Sequence, residues 1–319
     1  MKPILSILSC LVFTFSSQEV GAQSKDTTMP VKKDNSSSVK DTLDLMGQLE
    51  KEVGSPKDHI NYTTATFKTT RLINGHSVEN VGKGVMDVKI SHRFGNLNNG
   101  AYQLFGLDNA TMRMGFDYGI TPTLMVGIGR STFEKTYDAF FKVKLLRQST
   151  GKRNMPITLS YVPTIALKTL KFENPNQKNY FSSRLFYTHQ LIIGRKFSEN
   201  TSLQVMPTWS HRNLVQLNAD PNELLAIGIG GRQKLTKRVS FNVEYYYQLP
   251  SYKLQGTTNS LSMGFDLETG GHVFQLHFTN SQGMSERTFI SETTGKWGKG
   301  DILFGFNISR VFTIGKRKS

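Results

Sequence analysis

From about residue 82 to the C-terminus, apolar side chains recur at every second position. Residues 112–118 place Met, Met, Phe and Tyr between Arg, Gly and Asp, and 239–249, 261–268 and 302–314 repeat this pattern. Successive side chains of a β-strand point to opposite faces, so the alternation indicates strands with one apolar face and one polar or glycine face. The sequence therefore predicts an all-β fold in which one face of each strand is shielded from water.

Two environments can shield the apolar face of such strands. A soluble sandwich or barrel turns its apolar residues inward, whereas a membrane barrel turns them outward into lipid. The predicted strands have about 9–13 residues, the length that crosses a bilayer at a tilt, whereas soluble strands typically have about 5–6. Aromatic residues gather at strand ends, as at Tyr118, Phe197, Phe312 and 245–247. Both features favour a membrane barrel.

Hydropathy and connection lengths agree with this interpretation. The mean hydropathy of −0.34 excludes a protein with several membrane-spanning helices, since each such helix needs about 20 largely apolar residues. The predicted connections are short at 119–123, 198–201, 236–238 and 269–271, and longer at 170–180, 214–222, 251–258 and 280–300. Short periplasmic turns and long external loops are typical of transmembrane barrels.

Counting back from a last strand that ends in the periplasm gives twelve predicted strands. They lie at 82–94, 110–118, 124–132, 137–148, 156–168, 182–197, 201–213, 223–235, 238–250, 259–268, 272–280 and 301–314. An even number is usual for a single-chain bacterial barrel, so the predicted fold is a transmembrane, antiparallel, up-and-down β-barrel of about 12 strands. One more strand-like segment, 59–73, exceeds the even count and is expected in the lumen or at the periplasmic rim.

Residues 1–22 have the pattern of a cleaved secretory signal peptide. Lys2 precedes an apolar run over 4–15, and the small residues at 20–22 suit signal-peptidase cleavage. Cys10 lies inside the apolar run and is the only cysteine, so cleavage leaves a mature chain without disulfides or thiolate metal ligands. We therefore expect export and a location in the outer membrane.

The start of the mature chain is expected to form a separate, flexible arm. Residues 23–38 are small and polar, which is typical of a linker, and apolar residues at helical spacing predict a short amphipathic helix over 40–53. The predicted organisation is a signal peptide (1–22), a linker with a short helix (23–57) and a barrel (58–319). The six Lys and six acidic residues of 23–57 cancel, so the net charge of +15 belongs to the barrel.

Two long segments carry a resemblance to a known family. They read ATFKTTRLINGHSVENVGKGVMDVKISHRFG over 65–95 and NGAYQLFGLDNATMRMGFDYGITPTLMVGIGRSTFEKTYD over 99–138. These segments resemble an uncharacterised family of Gram-negative outer-membrane β-barrel proteins, known as a domain of unknown function. The resemblance extends over nearly all of the chain after the linker. It implies a fold and a location, and it implies no activity, cofactor or catalytic residue.

Charged residues on the polar strand faces are the candidate site residues, because those faces line the lumen if the apolar faces meet lipid. The lumen-lining candidates are Asp87, Lys89, Arg93, Arg113, Asp117, Lys142, Lys144, Arg184, Glu244 and Asp266. One interpretation is an ion-paired, closed lumen. The other is a water-filled pore whose excess of Lys and Arg favours anions. A barrel of this strand number can be either filled or open, so the sequence leaves both interpretations standing.

Other chemistry finds little support in the sequence. The seven histidines are spread along the chain without metal-ligand spacing, and the Gly-rich stretches 127–129 and 228–231 lie inside predicted strands rather than before a helix. We expect neither metal nor cofactor. His189 lies on an apolar strand face, which leaves open a lipid-active enzyme with a Ser–His pair, although no serine can be assigned beside it. Nucleic-acid binding is disfavoured because the chain is exported and its Lys and Arg are scattered.

The sequence thus favours a passive, porin-like channel for small solutes, including anions, rather than an enzyme. The alternative is a closed structural or interaction barrel that contacts a partner through the loops at 94–109 and 280–300 or through the periplasmic arm at 23–57. A lipid-active enzyme is the third hypothesis. The expected surroundings are outer-membrane lipid, small solutes in the lumen and, through the arm, a periplasmic partner.

Overall fold

The computed structural model of this protein describes residues 59–172, 176, 178–215, 217 and 219–314. The predicted signal peptide, linker and short amphipathic helix lie outside the described residues and stay predictions.

Fourteen strands are present among the described residues. They are β1 (Ile60–Tyr62), β2 (Val85–Asn96), β3 (Ala110–Gly119), β4 (Leu124–Ser131), β5 (Thr136–Leu146), β6 (Ser149–Gly151), β7 (Thr158–Lys168), β8 (Leu185–Lys196), β9 (Thr201–Arg212), β10 (Glu223–Lys234), β11 (Val239–Gln248), β12 (Ser260–Thr269), β13 (His272–Thr279) and β14 (Leu303–Thr313). Twelve of them match the predicted strands to within a few residues at each end.

Those twelve strands form a closed antiparallel barrel. Each strand from β2 to β14, with β6 left out, pairs with its neighbours in the chain, and β14 pairs with β2 to close the ring. Closure satisfies the backbone hydrogen bonds of the first and last strands, which a membrane requires because lipid offers no partners. The predicted up-and-down barrel of twelve strands is confirmed.

The strands direct their apolar faces outward. On β3, Met112, Met114 and Phe116 are each more than a third exposed, whereas Arg113 and Asp117 are at most 2% exposed. A soluble barrel would show the reverse arrangement. The alternation in the sequence therefore reflects lipid outside and a polar interior.

The barrel has two unlike ends. The β3–β4, β8–β9, β10–β11 and β12–β13 connections are brief and form the short-turn end, whereas the opposite, long-loop end carries most of the longer connections. β1 pairs with β6, which lies within the β5–β7 connection at the short-turn end. The segment predicted as an extra strand at 59–73 is a strand only over β1, and its remainder enters the lumen.

One short α-helix, α1 (Glu286–Ser291), lies in the β13–β14 connection, and all six of its residues are buried. Within the described ranges, the longest and most apolar helix still falls short of what a membrane-spanning helix requires. The buried position of α1 shows that part of the longest connection folds inward.

Candidate functional site

Residues 63–84, which we call the plug hairpin, enter the lumen from the short-turn end. Its two arms are joined by a backbone hydrogen bond from Ser77 N to Thr70 O at 3.0 Å, and Leu72 N donates to Gly75 O at 2.8 Å. The chain therefore reverses at Ile73 and Asn74 and returns to the rim, where Gly84 N donates to Gly119 O. The hairpin therefore occupies the lumen, for which the sequence allowed either a closed interior or a water-filled pore.

The tip of the plug hairpin is held by one carboxylate of the barrel wall. Backbone N–H groups of Ile73, Asn74 and Gly75 donate to the two oxygens of Glu244 at 3.2, 2.8 and 3.1 Å. Buried N–H groups must find partners, and charged acceptors give the stronger hydrogen bonds. Glu244 on β11 therefore acts as a latch for a tip that has no strand neighbour of its own.

The side chain of Asn74 adds two contacts to this latch. Its amide nitrogen donates to Ser262 Oγ at 2.8 Å, and its oxygen accepts from Arg93 Nη2 at 2.6 Å. Gly75 lies against Tyr246 so closely that an added Cβ would overlap the phenol hydroxyl. The wall thus recognises the tip by both hydrogen bonds and shape.

Cations of the barrel wall hold the arms of the plug hairpin. Lys142 Nζ donates to the backbone oxygens of Thr70, Ser77 and Glu79 at 3.1, 3.0 and 2.6 Å. Lys89 Nζ lies 2.5 Å from Thr70 Oγ1. The hairpin forms few backbone hydrogen bonds, so its carbonyl groups need other donors, and the buried Lys142 side chain supplies them. Glu244 supplies the acceptors for the N–H groups at the tip.

Lys89 also belongs to a compact charged group inside the barrel. Its Nζ contacts Asp87 Oδ2 at 2.5 Å and Asp117 Oδ2 at 2.7 Å, and all three side chains are at most 5% exposed. Arg113 pairs with Asp138 on the adjacent part of the wall, with Nε donating to Oδ1 at 2.9 Å. Buried charges are tolerated when they are paired and hydrogen-bonded in this way.

A second segment, residues 280–302, lies at the long-loop end, and we call it the loop plug. Its residues 283–291 are buried and enter the lumen, whereas 294–302 are exposed or half-buried. The loop plug contains α1, whose N-terminus is closed by a reciprocal capping box between Ser285 and Thr288. Arg287 pairs with Glu134 and with Glu292, the latter at 2.8 Å, and its guanidinium lies 4.1 Å from the centre of the Phe186 ring. These contacts fix α1 against the mouth of the barrel.

The two plugs meet inside the barrel. Arg71 Nη1 of the plug hairpin donates to Glu286 Oε1 of the loop plug at 2.7 Å, and His76 Nε2 lies 3.3 Å from the same oxygen. Burial lowers the pKa of His76 well below its usual value, and the nearby cations Arg71 and Lys142 lower it further. A neutral His76 therefore lies beside the ion pair that joins the plugs.

Apolar packing completes the closure of the lumen. Phe67, Leu72 and Val78 of the plug hairpin belong to one buried apolar cluster together with Phe289 and Ile290 of the loop plug. The barrel wall contributes Met125, Phe140, Val162, Ile192, Met206, Leu224, Ala226 and Tyr246 to this cluster. The interior thus has an apolar side and a charged side, and the plugs pack against both.

Within the part of the chain that the structure describes, cavities lie on both sides of the plug contact. A cavity of about 540 Å³ at the short-turn end is lined by Lys68, Glu79, Asp87, Glu268 and His272, among others. A cavity of about 260 Å³ at the long-loop end is lined by polar residues that include Asn96, Gln282 and Asp301. Both ends of the lumen are therefore hollow, while its middle is filled.

The structure places most of the predicted lumen-lining residues inside the barrel. Asp87, Lys89, Arg93, Arg113, Asp117, Lys142, Glu244 and Asp266 are all at most 4% exposed. Lys144 is partly buried and lies 3.6 Å from Glu79. Arg184 lies apart from the others, in a short turn before β8, with its guanidinium 3.7 Å from the centre of the Phe172 ring.

The residues of the two plugs that take part in these contacts were not predicted from the sequence. They are Arg71, His76, Glu286 and Arg287. The dipeptide Asn74-Gly75 was an available signal, because Asn-Gly between strand-like runs predicts a tight reversal. No comparable signal marks α1, since six residues are too few to show helical periodicity.

Among the described residues, no serine is hydrogen-bonded to His189, although the enzyme hypothesis needs such a pair. Its Nδ1 is hydrogen-bonded to the Tyr161 hydroxyl at 2.7 Å, and its ring lies 5.0 Å from that of Trp209. No group of three or more His, Cys, Asp or Glu side chains placed to hold a metal ion occurs in the part of the chain that the structure describes.

Comparison with protein families gives a match over residues 67–312 to a family described as a membrane bound beta barrel domain (DUF5777). The match covers most of the chain, including residues 67–84 of the plug hairpin and all twelve barrel strands except the last residue of β14. This protein belongs to that family. The description establishes a membrane-bound barrel and assigns no activity. None of the curated proteins that were compared matches the chain.

Several solved barrels share the general architecture at very low sequence identity. The NanC porin has 7% identity and a TM-score of 0.44 over 72% of this chain and 100% of its own. The KdgM porin has 8% identity and a TM-score of 0.42 over 72% and 99%. The outer membrane protein Omp33 of Acinetobacter baumannii has 10% identity and a TM-score of 0.38 over 71% and 97%. These values describe only a similar course of barrel strands.

Proposed function

We propose that this protein is an outer-membrane channel for small solutes whose lumen is closed by the plug hairpin and the loop plug, and opens when they withdraw. The observation that carries the proposal is the pair of hollow ends separated by the contact between the two plugs. In this view the cavities are the vestibules of a path and the Arg71–Glu286 pair lies at its closed point.

The contacts that hold the plugs support reversible closure. The Glu244 latch, the Lys142 contacts and the Arg71–Glu286 pair are hydrogen bonds between polar groups that water can replace when a plug leaves. The strands themselves form a closed ring without the plugs. Withdrawal of the plugs therefore leaves the barrel intact.

Only a weak preference for anions is expected of the opened lumen. The buried strand cations are Lys89, Arg93, Arg113, Lys142, Arg212 and Arg232, and the buried strand anions are Asp87, Asp117, Asp138, Glu244 and Asp266. Because these charges nearly balance, wall charge discriminates little between solutes.

Liposome swelling tests the channel directly. A variant in which residues 66–80 are replaced by a short Gly-Ser linker should admit small sugars and amino acids much faster than the wild type. Glu244→Gln, which weakens the latch with a single substitution, should give a smaller increase. The matched control Glu199→Gln changes an exposed residue and should leave the rate unchanged.

Impermeable liposomes with a folded hairpin-replacement variant would overturn the channel. Unboiled and boiled samples run side by side on a gel report folding, since a folded barrel migrates faster. If the replacement variant does not fold, Glu244→Gln alone decides between an opened and a closed lumen.

The apolar cluster favours a second candidate, a permanently closed barrel that acts through a partner. Withdrawal of the plug hairpin would expose Phe67, Leu72 and Val78, which are now buried, and exposing apolar surface has a cost. The predicted periplasmic arm at 23–57 is the proposed contact in that case. Affinity purification with and without residues 23–57 distinguishes this candidate, because only an arm-bound partner is lost with the arm.

A further inference from the structure

A groove lies on the outer wall of the barrel, where it has no part in the passage of solutes through the lumen. It has a volume of about 440 Å³ and is lined by Tyr161, His189, Leu191, Pro207, Trp209 and Ile227, among others. These side chains belong to the outward faces of β7 to β10, and Trp209 and Ile227 are 40% and 43% exposed. The groove therefore opens toward lipid, and lipid chains are the molecules that can occupy it.

A proline lies in the wall of the groove. Pro207 on β9 lies opposite Ile227 of β10, and both side chains line the hollow. A second proline, Pro163 on β7, lies directly opposite His189. Each proline removes one backbone donor from the interior of a strand in a closed barrel, where prolines are disfavoured and lipid supplies no substitute. Two prolines inside neighbouring parts of the barrel wall, both near His189, therefore distinguish this region from an ordinary stretch of strands.

A polar pair lies in this otherwise apolar groove. His189 Nδ1 and the Tyr161 hydroxyl are hydrogen-bonded at 2.7 Å, and Trp209 packs over the histidine ring. Across the described residues, the second ring nitrogen of His189 has no hydrogen-bond partner of its own. An ionisable residue facing lipid is costly, and a hydrogen-bonding partner for it lowers that cost. The pair therefore offers one hydrogen-bonding position inside a groove that suits an apolar chain.

We propose that this groove is a binding site for a lipid acyl chain that carries a hydrogen-bonding group, such as a hydroxyl, below its head group. The chain lies along Leu191, Pro207 and Ile227, and its polar group is hydrogen-bonded to His189. Tyr161 is a positioning residue, because its hydroxyl holds the imidazole ring. The site is independent of the lumen and of the proposed channel.

Trp209 supplies the measurement, since the chain has only two tryptophans. Trp297→Phe leaves Trp209 as the single reporter, and the protein is placed in phosphatidylcholine nanodiscs that contain a fixed fraction of dibrominated phospholipid, which quenches it. Octadecanoate and its mid-chain hydroxylated analogue are then compared as competitors that relieve quenching. One hydrogen bond predicts that the hydroxylated chain acts at an about five-fold lower concentration.

A matched pair of variants separates this site from general contact with lipid. His189→Phe should make the two competitors equal. His92→Phe changes another lipid-facing histidine, stacked on Phe306 at 5.1 Å and distant from the groove, and should preserve the difference. Equal competition in the Trp297→Phe protein, or an unchanged preference in a folded His189→Phe variant, would overturn the proposal. If the latter does not fold, the comparison in the Trp297→Phe protein decides alone.

Discussion

At the scale of single residues, the lumen is closed by backbone groups of one segment and charged side chains of another. Glu244 accepts from three consecutive N–H groups, and Lys142 donates to three carbonyls of the same hairpin. A hairpin without a sheet to join needs such partners, because buried backbone groups left unpaired are costly. These two residues were predicted to line the lumen, but their partners lie too far along the chain to be inferred from sequence.

Gly75→Ala should loosen the tip of the plug hairpin. The added methyl would overlap the Tyr246 hydroxyl, so either the tip or the tyrosine must shift. We expect a loss of about 1–3 kcal/mol in the free energy of unfolding, as is usual for overpacking. Denaturant titration in detergent micelles, followed by heat-modifiable migration, measures it.

A second substitution tests the cause of that loss. Tyr246→Phe removes the overlapping oxygen, and the nearest remaining ring atom would lie 3.1 Å from the new methyl, so the double variant should recover part of the stability. A double variant no more stable than Gly75→Ala would show that the tip is not packed against Tyr246.

At the scale of elements, the strands could be predicted, whereas the reversal of the plug hairpin and the inward fold of the loop plug could not. The strands show period-two alternation because each has lipid on one side and the lumen on the other. The plug hairpin is surrounded on all sides by the barrel wall, so no such pattern arises, and 59–73 was predicted as one long strand although only Ile60–Tyr62 is a strand. The connection at 280–300 was predicted as an external loop, and its inward fold depends on distant residues such as Glu134 and Phe186.

Arg287→Gln should release α1. The substitution removes a charge paired with Glu134 and Glu292, and hydrogen bonds between charged groups contribute about 1.5–3 kcal/mol. Amide hydrogen exchange over 285–292 should therefore accelerate roughly ten- to hundred-fold. Arg130→Gln, which removes an exposed arginine over the Tyr137 ring, is the control and should leave these amides unchanged. Equal protection in Arg287→Gln and the wild type would contradict the assigned role of Arg287.

Closure of the lumen should weaken as the pH falls below about 6.5, the usual pKa of histidine. His76 has a lowered pKa where it is buried, so the closed state resists its protonation while an open or unfolded state accepts the proton. Stability from a neutral His76 is complete above this pH and is lost progressively below it.

The contribution of His76 can be isolated with one variant. Hydrogen exchange of the plug hairpin at pH 5 and pH 7.5 should differ more in the wild type than in His76→Gln, since other titrating groups are common to both. An identical pH dependence in the two proteins would contradict this role.

At the scale of the whole molecule, the fold and the placement of charge follow from one condition, a wall between lipid and a polar interior. Twelve strands, their order and their outward apolar faces were all predicted from the sequence. The buried charges of the interior nearly balance, so the excess of +15 does not lie on the lumen wall. Exposed cations such as Arg195, Arg238 and Arg310 lie instead at the short-turn end. Composition alone could not distinguish a charged lumen from a charged rim.

If solutes pass only when the plug hairpin leaves the lumen, a reversible covalent lock between the hairpin and the wall should switch their passage off and on. Asn74 and Ser262 join the tip to the wall, with side-chain atoms 2.8 Å apart, and Cys10 is the only native cysteine. The double variant Asn74→Cys and Ser262→Cys is recorded in one planar bilayer under oxidising and then reducing conditions. We predict no current when the disulfide is closed, discrete channel openings after reduction, and their disappearance on reoxidation. The same current in both states would contradict closure by the hairpin.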